Sequence, residues 1–459
     1  LTVRDQLNEG QFNFTDTILS AANAVRDGTH ENSTMYYLDA PGGTGKTFVF
    51  NYLISQLKHN GYQVAAAAYT GLAAMLLIGG RTLHYLFSLP IPVVETSSAK
   101  ISPRSVKAEQ LRNIDVFFID EASAVSKHVV NAVDRVLRDI TDCNLPFGGK
   151  IVVFGGDFRQ TLPVVRNAQP AQIIEACLKS CMLWNSFIKF SLTQNMRAGP
   201  QQRIFSEWLL QIGNGTALVK ENEPFSGAVH LPSACIIDSS TSMVDAMYSS
   251  MDLANISSAV ILTPTNDESL IINDRVLPIL PGETKSYYNA DEVVAEDPND
   301  LAQYPLEFIN NCTPSGMPPH HLKLKVGAIV MLLRNLDLAK GLCNGTRLVI
   351  MYLHTNTIQC RVLTGLVTDT IVLISRVELS PSETGLPFQL KRRQFPLRLA
   401  YSMTIIKAQG QTFNKVGLFL RRPCFGHGQL YIALSRVHCF EDLKIQVCEH
   451  HLQGICNGE

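Results

Sequence analysis

The residues best equipped for chemistry stand in one run, Asp39-Ala40-Pro41-Gly42-Gly43-Thr44-Gly45-Lys46-Thr47. Glycines and other small residues let a loop tighten until successive backbone N–H groups face one point, where they can hold phosphate. Gly42, Gly43, Thr44 and Gly45 would line such a cradle. Lys46 would reach the β- and γ-phosphates, and the Thr47 hydroxyl would ligate magnesium. Ala40 stands where the strict pattern has Gly, a change a small residue tolerates. A glycine turn can also arise by accident. Here apolar Met35-Tyr36-Tyr37-Leu38 precedes it and a helical pattern, Thr47 to Asn60, follows, so the context is strand, loop, helix. ATP and Mg2+ are the expected ligands.

Two more strand ends carry polar chemistry. Phe117-Phe118-Ile119-Asp120-Glu121-Ala122 closes an apolar run with two carboxylates. Asp120 can hold magnesium through water and Glu121 can orient and activate an attacking water. An acidic pair after a strand is often only a solvated turn; beside a phosphate cradle it points to hydrolysis. Gly155-Gly156-Asp157-Phe158-Arg159-Gln160-Thr161-Leu162-Pro163 ends a third run and offers Gln160 as a γ-phosphate sensor, the alternative being a glycine turn into a polar loop.

The elements that must position these residues alternate. Met35 to Leu38, Val64 to Ala68, Val116 to Ile119 and Ile151 to Phe154 read as buried strands, with Thr47 to Asn60 and Ser126 to Ile140 as helices between them. That alternation predicts a parallel sheet covered on both faces, with its chemistry at the strands' carboxyl ends. Pro90 to Gln110 breaks the pattern and predicts a small protruding insertion. A second α/β set is expected from Trp184, with strands at Phe190-Ser191-Leu192 and Ala259 to Leu262. Asp291 to Asp300 and Cys312 to Pro319 read as solvated loops. Ala328 to Leu333, Thr346 to Tyr352, Thr357 to Leu363 and Thr370 to Ile374 predict a small β-module, after which the α/β pattern returns at Ala400.

The whole chain bounds the answer. Its 459 residues suit several domains, and 46% hydrophobic with 17% charged residues fits a globular protein. Apolar runs fall short of the roughly 20 residues a bilayer span needs, so no membrane role is expected. The 11 cysteines never form Cys-x-x-Cys, and Cys177 and Cys181 lack partners at zinc spacing, so reduced thiols in an intracellular protein are expected. A net charge of −1 neither requires nor forbids nucleic acid, which needs only a local positive groove. The start, Leu1-Thr2-Val3-Arg4-Asp5, has neither a secretory layout nor an initiator Met, and reads as part of something larger.

Taken together, these motifs in this order resemble the Pif family (petite integration frequency) of superfamily-one helicases, and especially the helicase portion of Helitron-type transposons. The resemblance runs from Leu7-Asn8-Glu9-Gly10-Gln11 to Leu430-Tyr431-Ile432-Ala433-Leu434-Ser435-Arg436-Val437. It implies an α/β fold of two tandem RecA-like P-loop domains with a wedge-like insertion and an SH3-like β-barrel insertion. The implied boundaries are 1–183 for the first motor domain (insertion about 85–112), 184–266 with 397–459 for the second, 267–321 for an irregular accessory insertion and 322–396 for the barrel. Gln11 would read adenine. Arg197, in Gln194-Asn195-Met196-Arg197, and Arg436 would be arginine fingers brought from the second domain to the γ-phosphate; a lone Arg otherwise ends in a surface salt bridge.

The resemblance also places Thr70, Gly71, His84, Thr265 and Asn266 on DNA. The segment Tyr401 to Thr412 would link DNA, through Thr404, Lys407 and Gln409, to the nucleotide, through Gly410. Ile406 and Ala408 depart from the family there: a polar residue is usual at the first position and Ser at the second. Lys391-Arg392-Arg393 reads either as a phosphate-facing patch or as a solvated basic loop. Tyr85 and Phe87 are candidates for stacking on bases, Trp184 for core packing, and His320-His321 for a polar loop rather than a metal site.

The function so implied is an ATP-dependent helicase moving 5′ to 3′ on single-stranded DNA and opening duplex or fork DNA, in the nucleus or mitochondrion, in repair, recombination or telomere maintenance. A flanking nuclease or replication-initiator domain would fit the Helitron likeness. The rival readings are a translocase that remodels DNA without unwinding, and a nucleotide-gated scaffold that does not hydrolyse.

Overall fold

The computed structural model describes residues 3–29, 33–165, 168–196, 202–217, 229–238, 240–249, 256–294, 305–314, 316–338, 340–365, 368–381 and 388–448. The chain divides into two compact units, Leu1–Lys220 with Phe425–Cys439, and Glu221–Cys424 with Phe440–Glu459. Among the described residues no helix is long and apolar enough to cross a membrane.

The first unit is built on six parallel strands: β1 (Met35–Asp39), β2 (Val64–Ala68), β3 (Arg81–Thr82), β4 (Val116–Asp120), β5 (Ile151–Gly156) and β6 (Ile188–Ser191). Their spatial order is β3-β2-β4-β5-β1-β6. Helices α1 (Glu9–Arg26), α2 (Lys46–His59), α3 (Gly71–Met75), α4 (Leu83–Phe87), α5 (Val106–Arg112) and α6 (Lys127–Thr141) accompany them. Phe14, Ile18, Ala21 and Ala22 of α1 pack with Val49, Phe50, Leu53 and Ile54 of α2 in one core, while the inner stripe of α6 fills the other. Two apolar clusters on one sheet explain why β4 and β5 read as continuous apolar runs rather than as alternating ones. Helix α6 starts where Ser126 Oγ accepts the Val129 N–H, the polar cap an isolated helix start needs.

The predicted strands and helices of this unit are present within a residue or two at their ends. One expectation fails: Phe190 and Ser191 do not open a second set, because β6 pairs with β1 and completes the first sheet. Burial explains the misreading, since as an edge strand β6 alternates half-buried and exposed and looks detached from the apolar runs before it.

The second unit holds a four-stranded parallel sheet, order β18-β7-β19-β20, formed by β7 (Ala259–Thr263), β18 (Ser402–Thr404), β19 (Lys415–Leu420) and β20 (Leu443–Val447). Between β7 and β18 the chain makes β8 (Lys285–Tyr288), β9 (Ala290–Val294), β10 (His321–Leu324), β11 (Ile329–Leu332), β12 (Arg347–Leu353), β13 (Thr357–Val362), β14 (Ile371–Ser375), β15 (Val377–Leu379), β16 (Gln389–Gln394) and β17 (Leu397–Leu399). The β-module expected after Leu322 is a five-stranded antiparallel sheet, β14-β13-β12-β11-β17.

The accessory stretch 267–321 is more ordered than expected, with the helix Asn266–Val276, β8, β9 and the helix Leu306–Asn311. Asp291 is in β9, not in a solvated loop, and Lys391-Arg392-Arg393 lies in β16 rather than on a basic loop. Arg392 is fully buried and grips Asp291 with two hydrogen bonds, Nε to Oδ1 at 2.8 Å and Nη2 to Oδ2 at 2.9 Å. Strand alternation turns Leu390, Arg392 and Gln394 inward, and the two-pronged bond to Asp291 makes a buried charge tolerable.

Candidate active site

Strands β1, β4 and β5 are neighbours, so the three polar strand ends converge on one edge of the first sheet. The loop after β1 turns through Gly43 and Gly45, both at positive φ, and Thr44 Oγ donates to the Pro41 carbonyl at 2.8 Å. Helix α2 opens at Lys46, so its unpaired N-terminal amides and dipole face the loop. The lysine reaches its place because β5 is bare at Gly155: a Cβ there would lie 2.5 Å from the Phe50 ring and 3.2 Å from the Lys46 stem.

The Lys46 ammonium is hydrogen-bonded to Asp120 Oδ1, which also accepts the Glu121 N–H at 2.7 Å. Burial acts against the lysine's charge, but Asp120 and then Glu121 more than offset it and raise its pKa. Glu121 takes a left-handed backbone conformation, φ 57° and ψ 36°. For a residue with a Cβ that costs on the order of 1–3 kcal/mol, and such strain gathers where a side chain must be aimed. Asp120 and Thr47, at the mouth of the cradle, are the donors that fit a magnesium ion; a hard cation there would draw its remaining oxygens from phosphate and water. Among the described residues no cluster of three or more His, Cys, Asp or Glu side chains suits a metal.

Gln160, just past the end of β5, donates Nε2 to Asp157 Oδ2 at 3.1 Å. A residue the sequence reading passed over does more. Arg159 Nη1 bonds Asp39 at 3.2 Å and Asp157 Oδ1 at 3.0 Å, and its Nε reaches Asn214 at 2.8 Å. Burial opposes its charge, but the hydrogen bonds and charges of Asp39, then of Asp157, raise its pKa above the ordinary arginine value. Arg159 therefore locks the end of β1 to the end of β5. Its signal was in plain view, one residue before Gln160, but its partner Asp39 lies 120 positions away.

Gln11 is 1% exposed and both ends of its amide are engaged: Oε1 accepts the Asn8 N–H at 3.1 Å, and Nε2 donates to the Thr44 carbonyl at 3.0 Å. It braces the cradle from α1. Met196 N–H donates to the Gly43 carbonyl at 2.8 Å, so the chain passes the cradle just before Arg197, which lies outside the described residues.

Arg436 follows the helix Gln429–Leu434 and belongs to the first unit, not the second as expected. Close packing is the reason. A Cβ on Gly428 would lie 2.4 Å from the Arg159 carbonyl, and the Tyr431 hydroxyl accepts the Gly42 N–H at 3.1 Å while bonding the Asp157 carboxylate. Arg436 itself is 3% exposed, donating Nε to Ile432 O at 2.9 Å and Nη2 to Ser435 Oγ at 2.7 Å. Ser435 packs against Gly42. The helix thus carries the arginine to the cradle's flank, and Tyr431 is a second contact the sequence reading missed.

The residues assigned to nucleic acid fall in both units. In the first, Thr70 caps α3, its Oγ accepting the Ala73 N–H at 3.2 Å, and Gly71 opens that helix. His84 leans on Tyr69, and burial lowers its pKa. Tyr85 is 56% exposed with Arg81 and Lys107 over its ring. Phe87 is wholly buried against Phe117, which removes it as a stacking candidate: one helical turn cannot present both side chains to solvent. Trp184 packs on Tyr37 and Phe187 as expected.

In the second unit Thr265 precedes the helix Asn266–Val276, Thr404 ends β18, and Lys407, Gln409 and Gly410 follow it. Asn266 Oδ1 accepts from Arg398 Nη1. His321 opens β10 and stacks on Tyr288 at 4.5 Å, while His320, in the bend just before that strand, bonds Asp291.

The chain has relatives among known proteins. Residues 6–223 match the PIF1-like helicase family and residues 307–353 match the DNA helicase Pif1, 2B domain. The chain is 28% identical over 417 residues to the ATP-dependent DNA helicase PIF1 of Homo sapiens, covering 89% of this chain and 58% of that protein. It is 26% identical over 428 residues to the ATP-dependent DNA helicase Pif1 of Bdellovibrio bacteriovorus, covering 93% of this chain and 86% of that protein. It therefore spans little more than half the length of its animal relatives. A Pif1 structure described for DNA unwinding at forked duplex superposes with a TM-score of 0.67 at 26% identity, over 96% of this chain and 92% of the other. Pif1 helicase from Bacteroides, in complex with ADP-AlF3 and single-stranded DNA, gives 0.67 at 25% identity, over 95% and 94%. With the cradle, the carboxylate pair and the Arg436 segment gathered in one α/β unit and a second parallel sheet following in the chain, the two tandem units are RecA-like, and the chain is similar to the PIF1-like helicase family.

Proposed function

We propose that the whole protein hydrolyses MgATP and uses the energy to move along single-stranded DNA, 5′ to 3′, opening duplex or fork DNA ahead of it. The observation that carries this reading is the convergence of Lys46, Asp120, Glu121 and Gln160 on one strand edge with Glu121 held in a strained conformation. In this reading Glu121 orients the attacking water, Thr47 and Asp120 hold magnesium, Lys46 meets the β- and γ-phosphates, and Gln160 senses the γ-phosphate. Gln11, Gly42, Gly43, Thr44 and Gly45 hold the nucleotide, with Gln11 beside the adenine. Arg436 and Arg197 neutralise charge developing on the γ-phosphate.

DNA would run over Thr70, Gly71 and His84 in one unit and Thr265, Asn266, Thr404, Lys407 and Gln409 in the other, with Gly410 on the nucleotide side. The polarity rests on family likeness alone. So do action in the nucleus or mitochondrion and any flanking nuclease domain.

ATP turnover with and without single-stranded DNA tests the reading. Stimulation by DNA that Glu121→Gln lowers about 10²–10⁴-fold is expected, the usual share of a positioned general base. Turnover indifferent to DNA would sink the motor. Ile406 is 44% exposed where the family favours a polar side chain, which supports a second reading, a translocase that unwinds little. Comparing fork opening with movement on bare single strands separates the two.

A further inference from the structure

Three cations gather in the second unit, near the carboxyl ends of β7 and β18. Arg398 of β17 is 2% exposed; its Nη1 holds Asn266 Oδ1 at 2.5 Å and Nη2 holds Ser269 Oγ at 3.1 Å. Its Nε has no hydrogen-bond partner among the described residues. Arg334, just after β11, gives Nη2 to the Ser380 carbonyl at 2.7 Å. The Lys407 Nζ is withdrawn from solvent and also has no hydrogen-bond partner among the described residues. Both guanidiniums act on it with like charge. Glu268, on the Asn266 helix, is also buried, with no hydrogen-bond partner for its Oε2 among the described residues; after burial, its charge is what pushes up the Cys424 thiol. Gln411, which holds the Lys407 carbonyl at 3.0 Å, brings no charge.

An ammonium buried beside two guanidiniums is the costliest arrangement for a cation, and buried polar groups normally find partners. A chain that keeps one has built a place for an anion. We propose that Arg398, Asn266 and Lys407 form a preformed seat for one phosphodiester of single-stranded DNA, and that Lys407 takes up a proton as the phosphate arrives. This rests on the motor reading above and goes beyond it in two ways. It gives Arg398, outside every motif read from the sequence, a positioning role, and it makes DNA binding in this unit a proton-coupled event.

The sign follows from the neighbours. In the free protein burial first, and the charges of Arg398 and Arg334 next, push Lys407 down to about 7. Above that pH the amine is mostly neutral. A phosphodiester places a negative charge in the seat, favours the ammonium, and returns the pKa toward its ordinary value. One proton then passes from buffer to amine, with no covalent bond made or broken. Binding takes up a proton above about pH 7 and weakens as pH rises, while below about pH 7 the lysine is already charged and takes up none. Burial lowers Arg398 to about 10, so its guanidinium stays charged through this pH range and supplies a constant attraction.

Calorimetric titration of the full chain with oligo(dT), in two buffers of different ionisation heat, reads the proton directly. At about pH 8.5 uptake approaching one proton is expected, falling toward zero at about pH 6. Lys407→Arg, which keeps its charge, should bind with that uptake lost. Arg398→Gln should weaken binding about tenfold and reduce the salt slope by about one unit. Tight binding by the unaltered chain without buffer-dependent heat, or unchanged uptake in Lys407→Arg, would overturn the seat and leave the motor reading standing. Uptake with inorganic phosphate alone and none with oligo(dT) would overturn the assignment to DNA. Absence of both DNA binding and DNA-stimulated turnover would overturn the seat and the motor together.

Discussion

Lys46 and Lys407 are both drawn away from water beside the carboxyl ends of parallel sheets, one in each unit, yet their surroundings differ in sign. Lys46 sits against Asp120 with Glu121 near, and its pKa rises in spite of burial. Lys407 faces Arg398 and Arg334, and its pKa falls to about 7. Burial imposes the same kind of penalty on each; the partner decides whether the charge survives it. One lysine is a standing charge, held by a carboxylate. The other is a charge on demand.

The widest break in this comparison should come from Lys46→Met. It leaves Asp120, 3% exposed, as a buried carboxylate without its cation, and loss of one member of a buried pair costs about 3–5 kcal/mol. Urea unfolding should show that loss; an unchanged midpoint would mean that Asp120 never depended on the pair.

Lys407→Met should act with the opposite sign, stabilising the chain by about 1–3 kcal/mol, since it removes a buried donor that has no partner. The gain also has a pH signature. The folded pKa lies below the unfolded one, so the unfolded chain binds more protons between about 7 and the ordinary lysine value, and the native chain becomes more stable as pH rises through that window. The advantage of Met should therefore be largest below about pH 7 and fade toward about pH 10; a gain independent of pH would break the contrast between the two lysines.

The smallest effect is expected from Tyr431→Phe. It keeps the ring and removes one hydroxyl that accepts from Gly42 and bonds Asp157, worth about 1 kcal/mol. A drop in turnover larger than the drop in stability, with ATP affinity nearly unchanged, would show that the bond sets the approach of Arg436 rather than merely holding the fold.

These residues also mark how far the sequence could be read. The cradle, the Asp120-Glu121 pair and the strands that carry them were legible because their signals are local: glycines in a loop, an apolar run, a polar end. Arg392 was misread although its signal was present. Leu390, Arg392 and Gln394 alternate inward along β16, but a charged residue on the inner face passes for a surface one until Asp291 comes into view 101 positions away. The edge strand β6 and the docking of the Gln429–Leu434 helix on the first unit were hidden for a related reason: both depend on pairing across a long loop, and nothing within either segment names its partner. Arg398, the residue the phosphate seat turns on, sits in a three-residue strand too short to show any period.

Gln11 carries a consequence for how the first unit breathes. The same amide closes the first turn of α1 onto Asn8 and holds the Thr44 carbonyl of the cradle. That turn cannot fray without releasing the loop, and a nucleotide that steadies the loop must also steady the turn. Helix start and cradle therefore open as one cooperative piece, and amide-hydrogen exchange at the head of α1 reports nucleotide occupancy from a segment of the chain far from Lys46 in sequence.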